Sequence, residues 1–459
     1  MSSEQRGPLH CVELNTGRNL SGILNVGPDE MSAKLYSYGD GFSITSDDVV
    51  CLKTEELDIA SLHNIVLMGP RSLSRSTGHV CQTHKVIANT TVIGPDAWNA
   101  LDTVKVAYFT LEGSMNILKN QTLFGKFLKS RFGSRSNREI LKIDAAGKTY
   151  KVSYAASYNY NIRGKTKAWP IFSIEYKASS FLKQYFSDLM CISRFISFCL
   201  GEEVNPGNIR ISKISERQML RKLRNGQYHG EHKVHYIWPK RELDHSYGAA
   251  AAGSPFAVWD DSDLSAMRDG LLAWIARESE WNTAYALMSE SLALRGEMSG
   301  PRMINACNWF SNLPNARIQK AIKLDHIELV AQAGGEIARQ LGYSSDVIQR
   351  IKGKIKEIRT ETSRDFYARI VQEVLKRFGV GILREGVVED IINGFRQRNL
   401  VAHGAVDEFS DDDFKSYSRS VRAIEAVSFL MMAKELPISD EGLSRIRSNR
   451  FVIDYKLAF

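Results

Sequence analysis

Near the C-terminus the run Asn393-Gly394-Phe395-Arg396-Gln397-Arg398-Asn399-Leu400-Val401-Ala402-His403-Gly404 sets two guanidinium groups, an amide and an imidazole close together. Arginine is permanently charged and forks onto phosphate oxygens. Histidine moves its proton near neutral pH and serves as base or acid. Asn399 can hydrogen-bond either neighbour and hold it in place. Together these groups suit attack on a phosphodiester by the adjacent RNA 2′-hydroxyl, with no metal or cofactor called for. One histidine does not easily act as base and acid at once, so a second copy from a symmetric partner is expected.

A helix must present these groups. Val388, Ile391, Ile392 and Phe395 recur three and four apart and predict one apolar face over 386–402. At about 100° per residue Asn399 falls in the middle of that face, where another Leu is expected. Arg398 and His403 flank the stripe, about 140° apart. Gly404 is a natural stop, which sets His403 in the last turn, where the dipole favours the imidazolium. The ordinary alternative is a basic helix end whose Arg and His answer free carbonyls before a glycine cap.

Arg398-Asn399-Leu400-Val401-Ala402-His403 resembles the R-x4–6-H motif of HEPN domains, including the polar residue that commonly follows the Arg. The likeness covers roughly the C-terminal third, and the long β-rich N-terminal region resembles, more diffusely, that of ApeA-type HEPN proteins of bacterial defence. The resemblance implies a metal-independent endoribonuclease whose site forms between two protomers, with tRNA among the candidate RNAs. It also implies a role in anti-phage abortive infection, with a trigger of phage origin. Arg398, Asn399 and His403 take the motif positions. Arg396 fits the looser spacing and lies nearer the face of His403, so the choice of arginine stays open.

The composition agrees with this reading without compelling it. A chain of 459 residues is too long for one ordinary core. The expected division is a β-rich domain over 1–177, a helical and irregular connector with a basic His-rich loop over 178–260, and a helical domain over 261–459. The fold class is therefore α+β, with a sandwich- or barrel-like first part and a HEPN-like bundle as the last. A net charge of +8 mildly favours polyanions such as RNA. Six scattered cysteines without a C-x-x-C pair argue against a disulfide framework or zinc finger and for a reducing cytoplasm. No secretory h-region is visible after Met1. The most apolar stretch, 181–200, carries Lys183, Asp188 and Arg194 and reads as a packed helix rather than a membrane span.

Alternation over 104–111 and 172–176 predicts strands, and 141–154 reads as a hairpin turning near Asp144 and Gly147. Short helices are expected over 97–101 and 115–129. Basic residues crowd 126–167, with Tyr150, Tyr154, Tyr158 and Tyr160 among them. Such a mixture either holds single-stranded nucleic acid or is a solvated sheet face with its aromatics inward. His229, His232 and His235, within the irregular 213–247, read as a polar loop rather than a metal site. Further helices are expected over 264–277, 282–295, 324–341, 345–378 with a break near 360–363, and 411–436. Lys352, Lys354, Lys356 and Arg359 could track RNA or simply face solvent. Phosphate-loop, dinucleotide, zincin and hydrolase motifs are absent from the sequence. A non-catalytic RNA- or protein-binding dimerisation module is the rival to the nuclease.

Overall fold

The computed structural model describes residues 6–14, 20–27, 30–38, 49–56, 58–68, 74–76, 79–129, 139–158, 166–227, 230–237, 251–320, 323–358, 360–402 and 411–458. The chain divides into two compact units. The first comprises Met1–Ile196, Val204–Asp244 and Val258–Arg268, and the second Ser197–Glu203, His245–Ala257 and Asp269–Phe459. An antiparallel sheet region is thus followed by a helical region, an α+β arrangement.

The first unit holds β1 (Arg6–Glu13), β2 (Ser21–Val26), β3 (Met31–Tyr38), β4 (Val50–Thr54), β5 (Ile59–Met68), β6 (Ser74–Ser76) and β7 (His79–Gly94). After these come β8 (Thr103–Leu111), β9 (Glu139–Ala145), β10 (Lys148–Tyr158), β11 (Thr166–Phe181), β12 (Pro206–Ser212) and β13 (Glu231–Tyr236). The sheet runs β3-β2-β1-β4-β5-β7-β13-β12-β8-β11-β10-β9, and β3 also pairs with β7. That extra pairing closes six strands into a ring. Its interior is filled by alternate residues such as Leu24, Ala33, Leu35, Leu52, Leu62, Val86 and Ala88, all inaccessible to solvent. β7 is shared: Lys85–Ile87 stand between β3 and β5, whereas Thr90–Ile93 stand between β13 and β5.

The expected hairpin is β9–β10, joined through Ala146 and Gly147 with φ of 49° and 74°, the left-handed pair of a two-residue turn. Tyr150 and Tyr154 point inward, and the Tyr154 hydroxyl donates to the Leu118 carbonyl at 2.8 Å. Neither ring is free to stack on a base. Two expectations fail here. No helix forms over 97–101, where the Asp102 carboxylate accepts from the Asn99 N–H at 2.6 Å and holds a turn. The stretch 213–247, read as irregular, contains β13 and a helix capped by Ser215 with Gln218. Short strands flanked by charge carry too little periodicity to be seen.

The helices are α1 (Gln121–Lys129), α2 (Leu182–Leu200), α3 (Glu216–Arg224), α4 (Asp263–Ala293), α5 (Gly300–Ser311), α6 (Leu324–Gln340) and α7 (Ser345–Glu357). After them come α8 (Ser363–Phe378), α9 (Val387–Ala402), α10 (Asp411–Lys434), α11 (Asp440–Ile446) and α12 (Arg450–Lys456). The two helices expected over 264–277 and 282–295 are one, since no Gly or Pro interrupts 278–281. In the second unit α10 is the central element. Ala423 through Ala433 are all buried, the polar Glu425 and Ser428 among them, as the central helix of a bundle requires. No helix among the described residues is long and apolar enough to cross a membrane.

Candidate functional site

The motif helix α9 is fixed on three sides within the second unit. Asp390, buried in its first turn, accepts from Arg419 Nε at 2.9 Å and from the Tyr455 hydroxyl at 2.8 Å. Burial first, and Asp390 second, push the Tyr455 phenol well above its usual value, so it stays a donor. One turn on, a Cβ placed on Gly394 would lie 2.5 Å from Ile424 Cδ1, so α9 and α10 touch backbone to side chain. Phe395 stacks on Tyr367 at 5.1 Å and meets Phe310 edge-on at 5.9 Å. At the far end Val401 Cγ1 lies 2.8 Å from where Gly300 would carry a Cβ, locking α9 to the start of α5.

This packing sets the orientation of the motif residues, and it differs from the expected one. The inward line runs Val387, Asp390, Ile391, Gly394, Arg398, with Val401 following. Asn399, expected in the middle of the apolar face, is exposed, as are Arg396 and Leu400. The glycine is the cause: Gly394 draws α10 close and turns the buried face toward its own line, which continues to Arg398 four residues on.

Arg398 is half-buried. Its Nη1 lies 3.4 Å from Asn399 Oδ1, while its Nε is enclosed without a partner among the described residues. It is close enough to Cys307 to draw that thiol's pKa down, against a larger upward push from burial that leaves it at about 12. Gln397 Oε1, Ser299 Oγ and Ser420 Oγ are likewise enclosed and unpartnered among the described residues. Ser299 accepts, through its carbonyl, a 2.7 Å bond from the Tyr417 hydroxyl. His403, the proton-transfer candidate, lies outside the described residues.

The basic residues of α7 are not brought onto one face, because positions two apart on a helix point about 160° away from each other. Lys352 packs its stem over Gly335, Lys354 pairs with Glu357 at 2.7 Å, and Lys356 is exposed. Arg359 lies outside the described residues. Among the described residues no group of three or more His, Cys, Asp or Glu could hold a metal.

A charge network behind the motif helix was missed in the sequence. Arg302, 2% exposed, forks onto Glu425, 3% exposed, with Nη2 2.8 Å and Nε 3.1 Å from its two oxygens. Its Nη1 also donates to the Arg295 carbonyl at 2.7 Å. Arg295 in turn holds Asp454 (Nε to Oδ2 3.0 Å) and the Gly201 carbonyl. Arg422 sits within reach of all four, and desolvation pulls its pKa down. The network's one sequence signal is Ser299-Gly300-Pro301, a helix start with proline near N1.

No protein-family model, curated protein or solved structure matches this chain.

Proposed function

We propose that the second unit is a HEPN-like bundle and that the chain is a metal-independent endoribonuclease. It works in anti-phage defence in the cytoplasm, with RNA, tRNA included, as substrate. One observation carries the reading. The last two turns of α9 carry Arg396 and Asn399 outward and a partly enclosed Arg398 beside them, whose Nε has no partner among the described residues, directly before His403. An RNA phosphate would be gripped from outside by Arg396, with Asn399 orienting the 2′-hydroxyl, and His403 would transfer the proton. Arg398 would either complete the grip or brace the helix. A homodimer through the bundle supplies the second histidine, one as base and one as acid.

The rival, an RNA- or protein-binding module that does not cut, is favoured by a single fact: Arg398 faces Cys307, a packing position. Cleavage of a defined RNA in EDTA separates the two. The nuclease gives 2′,3′-cyclic phosphate ends and loses about 100-fold or more in rate in His403→Ala. Equal cutting by His403→Ala, Arg396→Ala and Arg398→Ala removes the proposed roles.

A further inference from the structure

In the first unit one line of side chains crosses six neighbouring strands on a single sheet face. Successive register partners run Lys142 on β9, Lys151 on β10, Ser173 on β11, Tyr108 on β8, Arg210 on β12 and Lys233 on β13. At about 4.8 Å per strand the line is roughly 24 Å long. Lys142, Arg210 and Lys233 are exposed and the other three half-buried, while Ile143, Val152, Phe172 and Ile211, on the reverse face, are buried. The line holds four cations and no carboxylate.

Its two flanks differ. Toward the β9–β10 turn the next row of partners carries Asp144, Glu175 and Glu231. On the other flank stand Ser153 and Ile171, then Ala155 and the half-buried Trp169, with Glu139 at the outer edge of β9. Lys151 meets Glu216 at 3.0 Å and Arg210 meets Glu231 at 3.3 Å, contacts that reach solvent and hold little energy. No ion pair among the described residues holds Lys142 or Lys233. Glu216 opens α3, whose Arg217, Arg221 and Arg224 line up at i, i+4 and i+7, all exposed. Like charges at that spacing weaken a helix, and no carboxylate pairs with them among the described residues.

We infer that this face is a track for single-stranded RNA, with phosphates along the line from Lys142 to Lys233 and bases turned onto Tyr108, Ile171 and Trp169. Charge and rings together select that occupant. The acid row sets the lane, since a backbone displaced by one row meets Asp144, Glu175 and Glu231. Half-buried rings beside cations suit splayed bases, whereas a duplex keeps its bases stacked inside. The arginines of α3 add to the positive field that draws the strand in. Tyr150 and Tyr154, within the basic segment, are buried on the reverse face, so the rings come from β8 and β11 instead. The choice of RNA rests on the nuclease reading. The track itself lies wholly in the first unit and uses no residue of α9.

The test is fluorescence anisotropy of the full chain with a labelled 2′-O-methyl oligouridine of about 15 nucleotides, within the usual span of such sites. This probe cannot be cut by 2′-hydroxyl attack, so binding is read whether or not the chain is a nuclease, and the two ideas fail separately. Wild type should bind in the micromolar range at physiological salt. Lys142→Ala with Lys233→Ala should reduce the slope of log affinity against log salt by about 1.4, or 0.7 per phosphate contact. Tyr108→Leu and Trp169→Leu should each weaken binding about ten-fold at an unchanged salt slope, and Tyr108→Phe and Trp169→Phe should retain it. A duplex bound as tightly as the strand overturns the proposal, as does a salt slope unmoved by the lysine pair, or Leu variants that bind like wild type. A deoxy strand of the same length bound ten-fold more tightly overturns the choice of RNA.

Discussion

Arg302 and Glu425 meet as a fork, Nη2 to Oε2 at 2.8 Å, with both side chains nearly sealed from water. A guanidinium in such a place is held by its carboxylate and by the carbonyls of Arg295 and Glu297. Removing one partner strands the other charge, which typically costs about 3–5 kcal/mol. Arg302→Ala and Glu425→Ala should each lower the stability of the second unit by that amount in urea unfolding. The double replacement Arg302→Met with Glu425→Leu should recover most of it. A loss under about 1 kcal/mol in either single variant would mean the pair is solvated after all.

The two arginines of the motif should separate by the kind of damage they cause. Arg396 is exposed, so Arg396→Ala should leave the melting temperature alone and reduce RNA cleavage. Arg398→Ala removes a half-buried side chain packed toward α5. It should cost about 1–2 kcal/mol of stability as well as activity. Thermal melts read beside single-turnover cleavage decide it, and activity loss confined to Arg398→Ala would reverse the assignment.

Gly394 admits α10 at a distance that a methyl group cannot share without moving Ile424. Gly394→Ala should be near neutral or mildly unfavourable, because improved helix propensity offsets a clash with one side-chain end. Gly394→Val should destabilise by about 1–3 kcal/mol and shift the Arg398 end of α9. Denaturation measurements on the pair test whether the close approach is tight.

In the first unit His63 is buried, and burial holds its pKa at about 4, against opposing pulls from the Trp98 backbone and Asp102. The unfolded imidazole titrates near 6.5, so between those values the unfolded state binds more protons and stability falls as pH drops. The full loss, about 3 kcal/mol, is reached below pH 4. His232 adds in the same direction: burial lowers its pKa more than Asp96 raises it, and Lys213 assists. His63→Phe should flatten the pH dependence of unfolding between pH 6.5 and 4, and an unchanged slope would show that other groups carry it.

Long periodic segments were legible in the sequence. The helices over 324–341 and 411–436, the break near 360–363 and the strands β8 and β11 all rest on many residues repeating one period. Helix α5 was not legible. Its buried Arg302 and Asn305 interrupt the apolar stripe, and the carboxylate that pairs with Arg302, Glu425, lies more than a hundred residues away. The face of α9 was misjudged for a related reason. Periodicity counts large apolar side chains, so a glycine at the tightest contact and an aspartate paired with Arg419 do not register as interior. The neighbourhood of Arg398 therefore could not be read from its spacing alone.

The sharing of β7 has a consequence for the order in which the chain is made. The six strands of the ring leave the ribosome within the first 94 residues, but the strand that covers Thr90–Ile93 arrives only at Glu231–Tyr236. For well over a hundred residues of vectorial synthesis, the ring can be complete while one side of β7 offers bare amides and carbonyls. A nascent chain stalled in that interval is open to pairing with a foreign strand. Translation speed through this interval thus becomes a determinant of yield.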